Sequence, residues 1–364
     1  MLISELLGKL ETRAPLALAL DWDNVGLLLG IPEREFRKVL ITLDVTPNAV
    51  NKALEIGADL IIAHHPLIFK PLKRISDPLL LKLAENRIAV ICLHTNLDVA
   101  PEGVNHALAA KLGLKVTGHL SGEQGGSWYH LSVTVPAGHT DKVVEAVGAA
   151  GGGRIGKYSN CSARHPVTGI FEAGAGAKPF IPSAPDQRRT TVSEEELEFM
   201  VDENSLLAVR AAIQTSHPYE TPLVYWFPVA NPNPTYGLGL IGELPARRSL
   251  EEIAKLVSER LCCPHPRLWT AGLDPAAKIG SIAVCGGAGA SVLPSAEGSA
   301  DLLITGDLGY HALLEARIPV IDAGHFYTEY PVLETLEKWL FDWNVPCAAL
   351  PLEEHEYTRQ LLEL

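Results

Sequence analysis

Short, uninterrupted runs of Ile, Val, Leu and Ala alternate along the chain with stretches in which apolar residues recur at helical spacing. Such runs suit strands covered on both faces, and their alternation with helices suits an α/β sheet. Over residues 1 to about 120 the pattern predicts an amphipathic helix in Met1 to Leu10, where Ile3, Leu6, Leu7 and Leu10 fall on one stripe. It continues with strands in RKVLITLD, DLIIAHHP and IAVICLH, and helices from near Pro47, around Pro78 to Asn86, and from Pro101 to Leu112, closed by Gly113. The same texture returns from about residue 236, with strands in SIAVCGG, DLLITGD and PVIDAGH and a helix from about Thr328 to Asp342.

Between these stretches the pattern changes. Residues 124 to 235 hold alternating strands (WYHLSVTVP, LVYWFPVA), Gly-rich turns (Gly151 to Gly153, Gly174 to Gly176) and an amphipathic segment at Glu203 to Thr215, closed by a Pro/Asn linker, NPNPTYG. This predicts a small α+β domain with an antiparallel sheet.

Three of the apolar runs end abruptly in metal-ligand residues: DLIIAHHP, IAVICLHTNLD and IPVIDAGHFYTE. Ligands of open α/β sheets bind beyond the carboxyl ends of strands, so His64, His65, Asp98, His325 and Glu329 are expected to converge there. Three imidazoles and two carboxylates without a cysteine suit one or two divalent transition ions, such as zinc, iron, manganese or nickel, better than a structural zinc. Adjacent ligands on an extended backbone point to opposite sides, which suits two metals for His64 and His65. His325 and Glu329 are four apart and would share a helix face; a Glu placed only by the helix dipole is the competing reading. Because these ligands come from both outer stretches, 1–123 and 236–364 are read as halves of one metal-binding unit and 124–235 as an insertion.

His94 is expected to orient a ligand or a water, or to be an ordinary buried histidine. Asp44, Asp307 and His311 stand at or just after strand ends, where they rim the same cleft or serve as caps and turns. The GGAGAS stretch, Gly286 to Ser291, reads as a phosphate-cradling turn or as a tight strand-to-helix connection; it lacks both the full dinucleotide fingerprint and a Walker lysine. His94 and Asp307 are the candidates for proton handling.

Composition narrows the classes. The chain has 364 residues, 47% of them hydrophobic, enough for two or three domains, and no run reaches a membrane span of about 18 apolar residues. A net charge of −13 with few clustered Lys or Arg argues against nucleic acid. It does not argue against a small anionic substrate, since two divalent ions against two carboxylates leave the site itself positive. The six cysteines form no C-x-x-C pair, which favours a reducing cytoplasm.

DWDNVGLLLG, IIAHHPLIF, HTNLD, ITGDLGYH and DAGHFYTE together closely resemble the Nif-three-like family of dinuclear-metal hexameric proteins, whose members carry the name GTP cyclohydrolase I type 2 homologues. The middle stretch, with HPYETP (His217 to Pro222), resembles the ferredoxin-like insert, similar to PII and CutA, of the longer bacterial members; His217 itself reads as structural. The resemblance implies two metals per chain on His64, His65, Asp98, His325 and Glu329, with Glu329 bridging, and a homohexamer. It implies a metal-dependent hydrolase acting on a nucleotide or a phosphate ester. The alternatives are a protein that stores, delivers or senses metal, and an interaction factor without turnover.

Overall fold

The computed structural model describes residues 1–121, 127–182, 188–231 and 236–360. The expected domain boundaries at 123/124 and 235/236 fall on or beside residues outside that set. The chain divides into two compact units, Met1–Gly125 with Pro234–Leu364, and Gly126–Asn233.

Strands of the first unit's N-terminal part are β1 (Gly26–Leu29), β2 (Val39–Thr42), β3 (Leu60–Ala63), β4 (Ala89–Cys92) and β5 (Lys115–Ser121). The second unit holds β6 (Trp128–Pro136), β7 (Ala163–Phe171), β8 (Thr190–Asp202) and β9 (Val224–Val229). The C-terminal part adds β10 (Leu238–Ser249), β11 (Arg267–Trp269), β12 (Lys278–Ala288), β13 (Leu302–Gly306), β14 (Val320–Asp322) and β15 (Cys347–Ala349).

The first unit is built on two sheets, ordered β1-β4-β3-β2-β15 and β11-β14-β13-β12-β10-β5. In the first, β4, β3, β2 and β15 run parallel and β1 antiparallel; in the second, β12, β13 and β14 run parallel. Parallel pairing needs crossovers, supplied by helices Pro47–Glu55 and Pro78–Glu85, whose starts are fixed by Thr46 and Asp77 side chains accepting from backbone N–H groups and by Pro in the first turn. The continuity of the apolar runs now has its cause. Ile41, Ile62 and Ile91 feed one core while their neighbours Leu40, Ile61 and Val90 feed another on the opposite face. The first of these cores also takes Val284, Ile304 and Ile321 from the second sheet, so the two sheets share one interior and their carboxyl ends are held together.

Two expected helices differ. The stretch Pro101 to Leu112 is helical only from Val104, behind a separate turn of helix at Thr95–Val99. The stretch from Thr328 divides into His325–Glu329 and Val332–Asp342, because Pro331 has no N–H to continue the ladder.

The second unit runs strand, helix (Thr140–Ala149), two strands, helix (Leu206–Ser216), strand, in the order β7-β8-β6-β9, with all pairings antiparallel. This is the split βαβ arrangement, with Leu131, Val133 and Val135 packed against Val143, Val147, Val209 and Ile213. Among the described residues no helix is long and apolar enough to cross a membrane.

Candidate metal centre

The backbone stays extended past the end of β3, with His64 N–H donating to Thr42 O and His65 N–H to Leu43 O, so two successive imidazoles are fixed at the sheet edge. From the other sheet, β14 ends at Asp322 and the chain turns through Gly324 into the helix His325–Glu329, which puts His325 and Glu329 on one face. Both histidines after β3 and His325 reach the same carboxylate. Glu329 Oε2 lies 3.1 Å from His65 Nε2, and Oε1 lies 3.0 Å from His325 Nε2 and 3.5 Å from His64 Nε2. Asp98, on the helix Thr95–Val99, places Oδ1 3.6 Å from His64 Nε2. The five residues expected to converge are thus brought together, and one ligand atom each of His64, His65 and Glu329 falls within 4.8 Å of the others.

Every imidazole here is held from behind at Nδ1. His64 Nδ1 lies 2.8 Å from Leu93 O, His65 Nδ1 2.8 Å from Asp44 Oδ1, His325 Nδ1 2.9 Å from Asp307 Oδ2 and His94 Nδ1 2.9 Å from Asp23 Oδ1. An acceptor at Nδ1 puts the proton there in the neutral ring and leaves the Nε2 lone pair facing inward, as in the carboxylate–histidine–metal arrangement. Asp44 and Asp307, expected at the rim or in turns, are these acceptors. Asp307 sits in the left-handed backbone region at φ 54°, a conformation Asp tolerates better than most residues. His311 instead lies on the exposed helix Tyr310–Glu315, edge-on to Tyr310, without a hydrogen bond to the centre among the described residues.

Four buried atoms of the centre lack a hydrogen-bond partner among the described residues: His64 Nε2, His65 Nε2, Asp98 Oδ1 and Glu329 Oε2. Buried polar groups left unpaired are costly, and a cluster of donors to a cation, all aimed into one space, fits a divalent ion. Without an ion, protons take its place. Burial pushes the His65 imidazole down, but the Asp44 carboxylate at Nδ1 and the nearby Glu329 carboxylate outweigh it and raise it to about 10; for His325 the nearby Glu329 carboxylate prevails over burial and raises it to about 9. Burial lifts the Asp98 carboxyl to about 6, beyond what His64 offsets, whereas for Glu329 the imidazoles overcome burial and hold it low.

One glycine of GGAGAS, Gly287, and Gly306 at the end of β13 serve the centre by close approach. A Cβ on Gly287, at φ +68°, would stand 2.4 Å from Glu329 Oε1, and one on Gly306 would stand 2.6 Å from His325 N. The Gly286–Gly287 turn of GGAGAS therefore lies against the Glu329 carboxylate. Cys92 points its Sγ–H at His64 O and is held as a thiol by burial, so it is no ligand.

Two residues of DWDNVGLLLG were given no role by the sequence. Asp23 also takes the Thr95 N–H at 3.0 Å, and although burial raises its carboxyl, His94 and Thr95 bring it well below the usual range. Trp22 is exposed beside exposed Phe69, with ring centroids 5.7 Å apart, and lies edge-on to His94 at 6.1 Å. Both precede β1 rather than ending a run, so no pattern of strand ends could expose them.

The chain matches the Duf34/NIF3 (NGG1p interacting factor 3) family over residues 1–355. It is 36% identical over 356 residues to a GTP cyclohydrolase 1 type 2 homolog of Staphylococcus epidermidis, covering 94% of this chain and 95% of the relative. To the protein of that name from Halalkalibacterium halodurans it is 38% identical over 344 residues, covering 91% of each. Among solved structures, a Bacillus cereus protein related to NIF3 superposes with a TM-score of 0.81 at 32% identity, covering 98% of both chains. A Staphylococcus aureus protein superposes with a TM-score of 0.73 at 28% identity, covering 98% of this chain and 99% of that one. With a whole-length match in sequence and in fold and a His/Glu group suited to a metal, the chain belongs to the Duf34/NIF3 family.

Proposed function

We propose that this centre binds two divalent transition ions and that the protein is a metal-dependent hydrolase acting on a nucleotide, as the name of its relatives suggests, or on a phosphate ester. The observation that carries the reading is the ring of imidazoles fixed at Nδ1 with unpartnered Nε2, Asp98 and Glu329 atoms inside it. A histidine that merely stabilises a core uses both nitrogens. His64 with Asp98, and His65 with His325, are the residues that would hold the ions, and Glu329, whose two oxygens face different imidazoles, is the one to bridge them. Bound ions supply Lewis acidity toward a substrate oxygen and an acidified water. Asp44 and Asp307 keep His65 and His325 in position, which leaves His94 to move a proton: its Nδ1 is anchored on Asp23 and its ring stands 5.3 Å from that of His64. Trp22 and Phe69 offer exposed aromatic faces next to His94, which favours a substrate with a flat base.

We further propose the homohexamer of the family as the working assembly and a PII- or CutA-like character for the insert, which its split βαβ order supports. The test is turnover of a panel of nucleotides and phosphate esters by metal-loaded protein and by His94→Ala at equal metal content. Loss of turnover in the variant with both ions kept supports the assignment. Two tightly held ions with no turnover of any substrate would move the reading to storage or delivery.

A further inference from the structure

The HPYETP motif has no part in the metal centre, yet its geometry is fully determined. His217 Nδ1 accepts the Tyr219 N–H at 3.0 Å, which leaves the proton on Nε2, and Nε2 donates to Thr134 O on β6 at 2.8 Å. The turn so anchored presents the Tyr219 hydroxyl, which donates to Glu194 Oε1 on β8 at 2.7 Å. Glu194 is only 7% exposed, and its Oε2 has no donor among the described residues. On the neighbouring β7, a Cβ at Gly169 would stand 2.1 Å from that Oε2, so the missing side chain is what gives the carboxylate its room.

These groups line a cavity of about 520 Å³ lying wholly in the second unit, of the size that takes a small organic molecule. Its walls include Val167, Ile170, Leu223 and the rings of Phe180 and Tyr219, whose centroids are 6.3 Å apart. Competing charges are accounted for. Glu172 is paired with Arg188 and Arg189 at 2.9 Å each, Glu220 accepts the Lys178 N–H at 3.2 Å, and Lys178 makes no ion pair with Glu194. A carboxylate oxygen that opens on this space and has no protein donor, beside apolar and aromatic faces, selects for a charged N–H group carried on an apolar ring.

We propose that this cavity is a binding site for a small organic cation, an amine or amidine attached to an aromatic or alicyclic ring, with Glu194 Oε2 as its counter-ion. The site is independent of the metal centre and of the hydrolase reading. The test is calorimetry on the full-length, metal-loaded protein, with benzylamine and benzamidine as probes and benzyl alcohol and benzoate as the neutral and anionic counterparts. Both cations are expected to bind at one per chain, with benzyl alcohol weaker by about tenfold or more and benzoate silent. Glu194→Gln, which retains an acceptor for Tyr219, and Gly169→Ala, whose methyl displaces Oε2, should each weaken the cations by about tenfold while metal content stays at the wild-type value. Circular dichroism and retained metal content identify folded variants, and either folded variant suffices. No binding of the cations at millimolar concentration, equal binding of benzyl alcohol, or unchanged binding to a folded Glu194→Gln or Gly169→Ala overturns the proposal.

Discussion

Histidines stand at key points in both units, but their two nitrogens are used differently. In the second unit His217 has a partner at each nitrogen, a backbone N–H on one side and a carbonyl on the other, and it fixes a turn. In the first unit His64 and His65 each have one nitrogen occupied and one that is buried without a partner. Two of the buried carboxylates also differ in what they face: Glu194 meets one hydroxyl, Glu329 three imidazoles. A buried histidine thus points to chemistry when its second nitrogen is left over, since an unpaired buried polar atom persists only where something else satisfies it.

The sharpest way to break this contrast is Glu329→Gln. Shape is kept, but one negative charge and one strong oxygen donor go, so at least one ion should be lost and any hydrolytic turnover should fall by about two orders of magnitude or more. Elemental analysis beside circular dichroism checks it. Retention of both ions at wild-type affinity would remove the bridging role.

Asp44→Ala and Asp307→Ala should act one step further out. Each frees an imidazole to turn without removing a ligand, so metal affinity should drop by about 10–100-fold with the fold intact. Competition against a chelator measures this, and unchanged affinity in both would show that the acceptors at Nδ1 do not matter.

Acidification tests the same atoms without mutation. In the metal-free chain His65 and His325 hold protons up to about 10 and about 9, so an incoming ion displaces protons and its apparent affinity must fall as the pH falls. Each displaced proton corresponds to about tenfold weaker binding per pH unit of acidification below those values. A metal titration flat between pH 6 and 8 would contradict it.

The smallest effect on metal is expected from His217→Ala, which should leave the ion content unchanged and cost about 1–3 kcal/mol of stability in the second unit, from the backbone groups it strands. Burial holds His217 below its ordinary value despite the bond to Thr134 O. The unfolded chain therefore takes up a proton first, and wild-type stability should decline as the pH drops below about 6.5, the ordinary histidine value, a decline the variant lacks. Differential scanning calorimetry on both proteins reads this contribution; a drop in metal content instead would mean that the units are coupled.

The legible part of the fold was whatever a local pattern forces. A continuous apolar run must be a strand buried on two faces, which located β2, β3, β4, β13 and β14, and ligand residues directly after such runs located His64, His65 and His325. Local patterns also placed Asp44 and Asp307 at strand ends, without their task. What no pattern carried was pairing across distance. Asp23 reaches His94 from 71 positions away, Gly287 makes room for a carboxylate 42 positions further on (329 − 287), and Gly169 does the same for Glu194 on another strand. The apolar periodicity of one segment records which face it buries, not which atoms another segment brings there. Sequence by itself therefore determined the elements and the type of chemistry at their ends. The arrangement of the two sheets with their carboxyl edges held together decided which nitrogens are pinned, which are left unpaired, and so which histidines can hold a metal.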